Sequence, residues 1–277
     1  MRYMLTDDLW RALEPAVQQA KWYKGGQKPA LPDRDFFEAL LYLTRTGIPW
    51  RDLPAEFGSW DAVYNRFRRW VRSGGLRTLF ELLTDAPQFG DVRRVLIDST
   101  VIRAHQHAAG ARRKHHKIGA ARAAQKQALG RSRGGVSTKV VVSVADEDTV
   151  LAVNVVPGQA NDAPLLVPLL DRTLERVPMI DEVVGDKGFD GDRLREACLD
   201  RDVNPNIPLK ANRDPERWAW DPVGYKERNR VERLFAKLKQ FRRVATRYEK
   251  LKITYLGLLH LTLGFIRLRK QWNVNTA

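Results

Sequence analysis

Over residues 1–85 apolar positions recur at helical spacing. Thr6 precedes one such run, which extends to about Gln19. Asp33 opens a second, DRDFFEALLYLTRTG, closed by Gly47, and Ser59 precedes a third, WDAVYNRFRRWVR, that stops at Gly74-Gly75. In the third, Trp60, Val63, Tyr64, Phe67, Trp70 and Val71 share a face, while Arg66, Arg69 and Arg72 lie off it. The rhythm changes after the polar stretch DAPQFGD at 85–91. RRVLID is a short unbroken apolar run that predicts a buried strand over 93–98. Further strands are expected at 137–145 and 150–156 with a polar turn between them, before Gly185, and at 203–208. Helical spacing returns at 163–175, at 190–200 and in two C-terminal segments. Residues 103–135 have almost no apolar anchor and predict a long mobile loop or weak helix, ordered only on a polyanion. The pattern predicts a small all-α domain over 1–88, then an α/β domain over 89–277 with a basic insertion at about 103–135.

Composition sharpens this in one respect. The 277 residues carry a net charge of +15. Residues 93–140 hold twelve Lys/Arg against one acid, and 226–252 hold eleven against three, so the remainder is slightly acidic. A positive field confined to two segments points to a polyanion lying across them, DNA or RNA being the common one. Five of the eight tryptophans lie in the first 70 residues, enough aromatic area for a separate core. The single cysteine, Cys198, excludes an intramolecular disulfide and sits in the apolar rhythm of DRLREACLD as a core residue. MRYMLTDDLW places acids where a signal peptide needs an apolar run, and no run of eighteen apolar residues exists. TYLGLLHLTLGFIRL reads instead as a buried C-terminal helix.

The candidate chemistry concentrates in YKERNRVERLFAKLK. On a uniform α-helix, at about 100° per residue, Tyr225, Arg228, Glu232 and Lys239 fall within a stripe roughly 60° wide, beside an apolar seam of Val231, Leu234, Phe235 and Leu238. One carboxylate is thus flanked by cations suited to phosphate. Hard divalent cations need more than one oxygen ligand. Asp98 ends one apolar run and Asp186 follows another, EVVGDKGFD, and acids at strand ends project from the sheet edge, where sites concentrate in α/β folds. Two strand-end aspartates and one helix glutamate can bracket two metal ions for phosphoryl chemistry.

These residues carry a resemblance. The order Asp98, Asp186, Glu232 and the Tyr-2-Arg-3-Glu-6-Lys spacing resemble the DDE transposases of bacterial insertion sequences. LIDSTVIRAHQHAAG, GRSRGGVSTK, PGQANDAP, GDKGFD and VERLFAKLKQFRRVATRYEK are similar to the insertion-sequence-five family, and GIPWRDLPAEFGSWDAVYNRFRRW to its helical N-terminal region. One departure is Thr138-Lys139-Val140-Val141, where the family often has TKIH. The resemblance implies a ribonuclease-H-like catalytic core preceded by a small all-α DNA-binding domain. It implies a triad of Asp98, Asp186 and Glu232 holding two Mg²⁺ per active site, with Mn²⁺ as substitute. Tyr225, Arg228, Lys239, Lys187, Arg66, Arg69, Arg131 and Arg133 are the candidate DNA contacts. The implied partners are the element's terminal inverted repeats, target DNA and a second copy of the chain on DNA, in a bacterial cytoplasm at the nucleoid. Two alternatives stay open: a host-adopted or inactive DNA-binding copy, and a structure-selective nuclease that does not join strands.

Several residues admit a local reading. Asp162 in GQAND fits an Asx turn better than a place beside the site. Trp218 and Trp220 suit either base stacking or packing over the sheet edge. The pairs His105/His107 and His115/His116 lack the regular frame a zinc site needs.

Overall fold

The computed structural model describes residues 4–21, 29–85, 92–109, 126–214 and 216–275, with 272–275 by backbone alone. In chain order its elements are helices α1 (Asp7–Ala20), α2 (Asp33–Thr46), α3 (Trp60–Arg72) and α4 (Gly75–Thr84), then strands β1 (Arg94–Ala104), β2 (Gly130–Ser132), β3 (Gly135–Val144) and β4 (Val150–Pro157). There follow α5 (Leu166–Leu174), β5 (Glu182–Val184), α6 (Asp192–Leu199), β6 (Asn204–Asn206), α7 (Asn229–Lys239), β7 (Thr246–Arg247) and α8 (Lys252–Asn275). Single helical turns at Pro222–Tyr225 and Arg242–Ala245 complete the connections. The chain divides into two compact units. One gathers the described parts of 1–85, 102–129 and 237–277; the other those of 86–101 and 130–236.

The helical unit follows the expected caps in part. The Thr6 side chain accepts from Leu9 N–H, and Gly47, at φ 77°, closes α2 with its N–H on Leu43 O. α3 stops just before Gly74-Gly75 as expected, and Gly74, at φ 80°, turns the chain into a further helix, α4. Trp70 packs between Phe36 and Phe37, with ring centroids 6.3 and 5.2 Å away. The C-terminal helix α8 belongs to this unit and lies against α4. A Cβ on Gly257 would meet Val71 Cγ2 at 2.7 Å, and one on Gly264 would meet Leu83 Cδ1 at 2.9 Å, so both glycines permit close helix approach.

Arg66 departs from the expectation of an outward basic row. It is buried, its Nη1 donates to Leu31 O at 2.7 Å, its Nη2 pairs with Asp33, and its guanidinium lies 4.3 Å over the Phe36 ring. Its long stem reaches back across the apolar face to the start of α2, where Asp33 neutralises it. The guanidinium holds helices together and has no face left for phosphate. Arg69 and Arg72 are exposed.

In the α/β unit the sheet runs β2-β3-β1-β5-β6, with β4 also paired to β3. β3 and β4 are antiparallel, while β1, β5 and β6 are parallel. Val95, Ile97, Val141, Val183, Leu169, Leu170 and Phe189 share one buried core, which accounts for the near-continuous apolar strands. Two boundaries differ from the sequence reading. β1 continues to Ala104, where Arg103 and Ala104 pair in parallel with β7 in the helical unit. Residues 130–135 are an ordered hairpin rather than loop: β2 pairs with β3, Arg131 lies on β2, and Arg133 lies in the turn, both exposed. Gly135, at φ 96°, supplies the backbone that the turn needs. The stretch 110–125 lies outside the described residues, as do His115 and His116.

Candidate active site

Strand periodicity decides which residues of β1 reach the site. Val95 and Ile97 point into the core, so Arg94, Leu96 and Asp98 share the opposite face. On that face two ion pairs meet the start of the signature segment. Arg94 pairs with Glu182 of β5 and, at 2.6 Å, with Glu227. Asp98 Oδ2 accepts from Arg228 Nη2 at 2.7 Å. Adjacent residues 227 and 228 are thereby tied to positions 94 and 98 of one strand.

Asp98 is buried, and its Oδ1 accepts from Ser99 N–H at 2.8 Å. Burial raises its pKa above the ordinary aspartate value; the Arg228 guanidinium works against that rise, and the nearby Asp186 charge adds to it. Asp186, half-buried at the end of β5, accepts from Gly188 N–H at 2.8 Å and caps the turn Lys187–Phe189. Arg228 itself is opposed by burial and favoured by Asp98, with the balance above its ordinary range, so it stays a cation. Its Nη1 donates to Tyr225 Oη at 3.1 Å, and its buried Nε has no hydrogen-bond partner among the described residues. Tyr225 meets Trp220 edge to face at 5.5 Å.

Glu232 is not brought into this group. It is exposed, no hydrogen bond or ion pair engages it among the described residues, and among them no three His, Cys, Asp or Glu side chains could hold one metal ion. The uniform helix assumed for 225–239 breaks: Lys226–Arg228 is a 3₁₀ turn before α7 begins. Such a turn advances about 120° per residue instead of about 100°, but it precedes both residues, so the phase between Arg228 and Glu232 is unchanged. Arg228 reaches Asp98, while Glu232, one turn further along α7, stays exposed.

The donor chemistry suits a hard divalent cation at two of the three acids. Asp98 and Asp186 fit one: two carboxylates, one within β1 and one just after β5, close enough to repel, with a guanidinium already standing in as counter-cation on Asp98. Glu232 adds a third oxygen donor only if it joins them.

Other candidates fall into place. Asp162 does not form the Asx turn expected of it; Asn161 Oδ1 takes that role, accepting from Ala163 N–H at 3.4 Å. Asp162 Oδ1 instead accepts from Ser99 Oγ at 2.8 Å and from the buried Lys139 Nζ at 2.9 Å. The signal was a lysine set in the apolar strand sequence TKVVVSV, and its meaning needed the fold. Lys187 and Lys239 are exposed. Trp218 is a packing residue, its indole N–H on Asp192 at 2.8 Å and its ring under Arg195, whereas Trp220 is part exposed. Cys198 is buried and free, its thiol pushed up to about 11 by burial.

A mixed sheet that brings Asp98 near Asp186, opposite an Arg-bearing helical segment, has the donor chemistry that metal-assisted phosphoryl transfer uses. Comparison with known proteins narrows this. Residues 90–263 match the model described as "Transposase DDE domain", and residues 5–80 that described as "Putative transposase of IS4/5 family (DUF4096)". This chain belongs to the DDE transposase family of insertion sequences. Over 109 residues it is 42% identical to "Uncharacterized protein y4sN" of Sinorhizobium fredii, covering 39% of this chain and 83% of that one. Over 122 residues it is 32% identical to "Putative transposase for insertion sequence element IS6501" of Brucella ovis, covering 43% of this chain and 88% of that one. The piggyBac transposase, solved as a synaptic complex with hairpin DNA, shares the fold at a TM-score of 0.50 and 12% identity, over 98% of this chain and 74% of that one. The architecture is therefore a ribonuclease-H-like α/β core with a helical N-terminal region. Among the described residues no helix is long and apolar enough to cross a membrane.

Proposed function

We propose that this chain cleaves DNA at the terminal inverted repeats of its element and joins the freed 3′-OH ends to target DNA. The observation that carries this is the convergence of Asp98 and Asp186 at the sheet edge, faced by the signature residue Arg228, in a chain of the DDE family. Asp98 and Asp186 would hold Mg²⁺, with Glu232 as the third ligand and a second ion completing the site; Mn²⁺ would substitute. When bound, such ions activate the attacking water or 3′-OH and stabilise the leaving oxygen. Arg228, released from Asp98, offers a planar donor fork to a phosphate beside the reacting one. Lys187, Lys239, Tyr225, Arg69, Arg131 and Arg133 are further proposed phosphate contacts, and Arg66 is withdrawn from that set. Both element ends must be held together for joining, so a dimer assembled on DNA is part of the reading. So are DNA recognition by the helical N-terminal region and action at the bacterial nucleoid.

The decisive experiment uses Asp98→Asn, Asp186→Asn and Glu232→Gln, which keep shape and remove charge. Each is expected to stop cleavage of terminal-repeat DNA in Mg²⁺ while DNA binding persists. Near wild-type cleavage by Asp186→Asn rejects the triad. Cleavage by the unaltered chain without strand-transfer product from a 3′-OH donor would instead leave a nuclease that does not join.

A further inference from the structure

Lys139 is a cation in the interior of a strand. It sits in the middle of the sheet on β3, it is 7% exposed, and its Nζ donates to Ala160 O at 2.7 Å and to Asp162 Oδ1 at 2.9 Å. Lysine is rarely buried without a charge partner, because the ammonium loses its hydration. Asp162 is that partner, and it leads somewhere. The same Oδ1 accepts from Ser99 Oγ at 2.8 Å, and Ser99 N–H donates to Asp98 Oδ1 at 2.8 Å. On the other side, a Cβ placed on Gly188 would lie 3.8 Å from Asp162 Cβ and 2.8 Å from Asp186 Oδ1. Asp162 therefore stands between Ser99 on β1 and the turn that follows Asp186, with its own charge already balanced by Lys139.

We infer that Lys139, Asp162 and Ser99 form a positioning chain that fixes the Asp98 carboxylate for a divalent cation. The inference rests on the reading that Asp98 holds such a cation. Lys139 anchors Asp162 so that it cannot swing toward the cation; Asp162 holds the Ser99 hydroxyl; and the Ser99 backbone, fixed in turn, presents its N–H to one Asp98 oxygen. The other Asp98 oxygen is the one Arg228 occupies, and it is freed when Arg228 turns to phosphate. Partners one step removed from a metal are the usual means of orienting its ligands, and removing one typically costs about 10- to 100-fold in metal affinity.

The test is Mn²⁺ uptake by the full chain without DNA, followed by the electron paramagnetic resonance signal of free Mn²⁺, beside the melting temperature without metal. Ser99→Ala and Asp162→Asn are expected to weaken Mn²⁺ binding about tenfold or more. Ser99→Ala removes one hydroxyl and should hardly move the melting temperature. Asp162→Asn leaves Lys139 buried and unpaired; if it does not fold, the double variant Lys139→Met with Asp162→Asn removes that problem and should still bind Mn²⁺ weakly. Lys139→Arg should retain more affinity than Lys139→Met. Wild-type Mn²⁺ affinity in folded Ser99→Ala and in the double variant, with binding lost in Asp98→Asn, overturns the positioning chain and leaves the metal reading intact. Unchanged Mn²⁺ binding in Asp98→Asn, or none in the wild type, overturns the metal reading and this inference with it.

Discussion

The sheet edge and the signature helix hold their acids by different means. Asp98 lies on β1 and Asp186 just after β5, beyond the residues at which these strands pair in parallel, and each carboxylate accepts a backbone N–H close to its own position. Glu232 rides on a helix whose approach is a 3₁₀ turn, and no group among the described residues holds its carboxylate. Arg228, between the two, is spent on Asp98. The sheet acids are thus held in place by the fold, while Glu232 is the acid that the proposed triad requires to move. Burying Asp98 beside Asp186 is unfavourable unless a cation answers it, and the chain uses its own guanidinium until another arrives.

The largest expected effect separates the two regions by metal rather than by activity. Asp98→Asn, Asp186→Asn and Glu232→Gln should all lower cleavage by about a thousandfold or more, since a catalytic metal supplies several kcal/mol of charge stabilisation and about 1.4 kcal/mol is a factor of ten. Without DNA they should part company. Mn²⁺ uptake should vanish in the two aspartate variants and persist in Glu232→Gln. Equal loss in all three would mean the glutamate already belongs to the site before DNA binds, and the contrast between sheet edge and helix would fail.

A smaller effect concerns Arg228 and pH. Because burial raises the Asp98 pKa, the acid limb of cleavage should lie above the ordinary aspartate range: as pH falls through the raised value, Asp98 gains a proton and ceases to be a ligand. The stability consequence has the opposite sense to that of a depressed carboxylate. Ionised Asp98 costs the metal-free fold stability at neutral pH, and that cost disappears as pH falls through the raised pKa. Arg228→Gln removes the group that counters the rise, so the acid limb should move further up. The same variant removes the competitor on Asp98 Oδ2, and Mn²⁺ affinity at neutral pH without DNA should improve about two- to fivefold, in line with a partly exposed pair worth about 0.5–1 kcal/mol. A pH–rate profile and a Mn²⁺ titration check both. An acid limb that stays put in Arg228→Gln would show that this pair does not tune Asp98.

Much of this was legible in the residues. The unbroken apolar run RRVLID, which predicted a buried strand, carries the first half of β1. The hairpin of β3 and β4 and the buried C-terminal helix also followed from local pattern. What was not legible depended on contacts far apart in sequence. Arg66 looked outward on a helical wheel, yet a long side chain can double back to Asp33, 33 residues earlier. A helical wheel put Glu232 on the stripe of Arg228, but a shared stripe does not say whether a carboxylate reaches acids on strands far away in sequence. Asp162 passed for a turn residue because its partners, Ser99 and Lys139, stand 63 and 23 residues away. The Arg/Lys-rich stretch hid an ordered hairpin at 130–135, because three-residue strands fall below what alternation can reveal.

That hairpin gives the smallest expected effect and tests whether the basic segments act apart from the chemistry. Arg131 and Arg133 are exposed on and beside β2. If both neutralise phosphates, Arg131→Gln with Arg133→Gln should flatten log K against log salt by about two units, since each contact on B-DNA releases about 0.9 counterion. Preference for terminal-repeat over random DNA should hardly change, because phosphate contacts position the duplex and base contacts read it. Mn²⁺ uptake without DNA should be untouched, unlike in the sheet-edge variants. Binding measured from low to moderate salt decides the matter. An unaltered slope would place the two arginines away from the duplex and confine the phosphate grip to the cations that flank the signature helix.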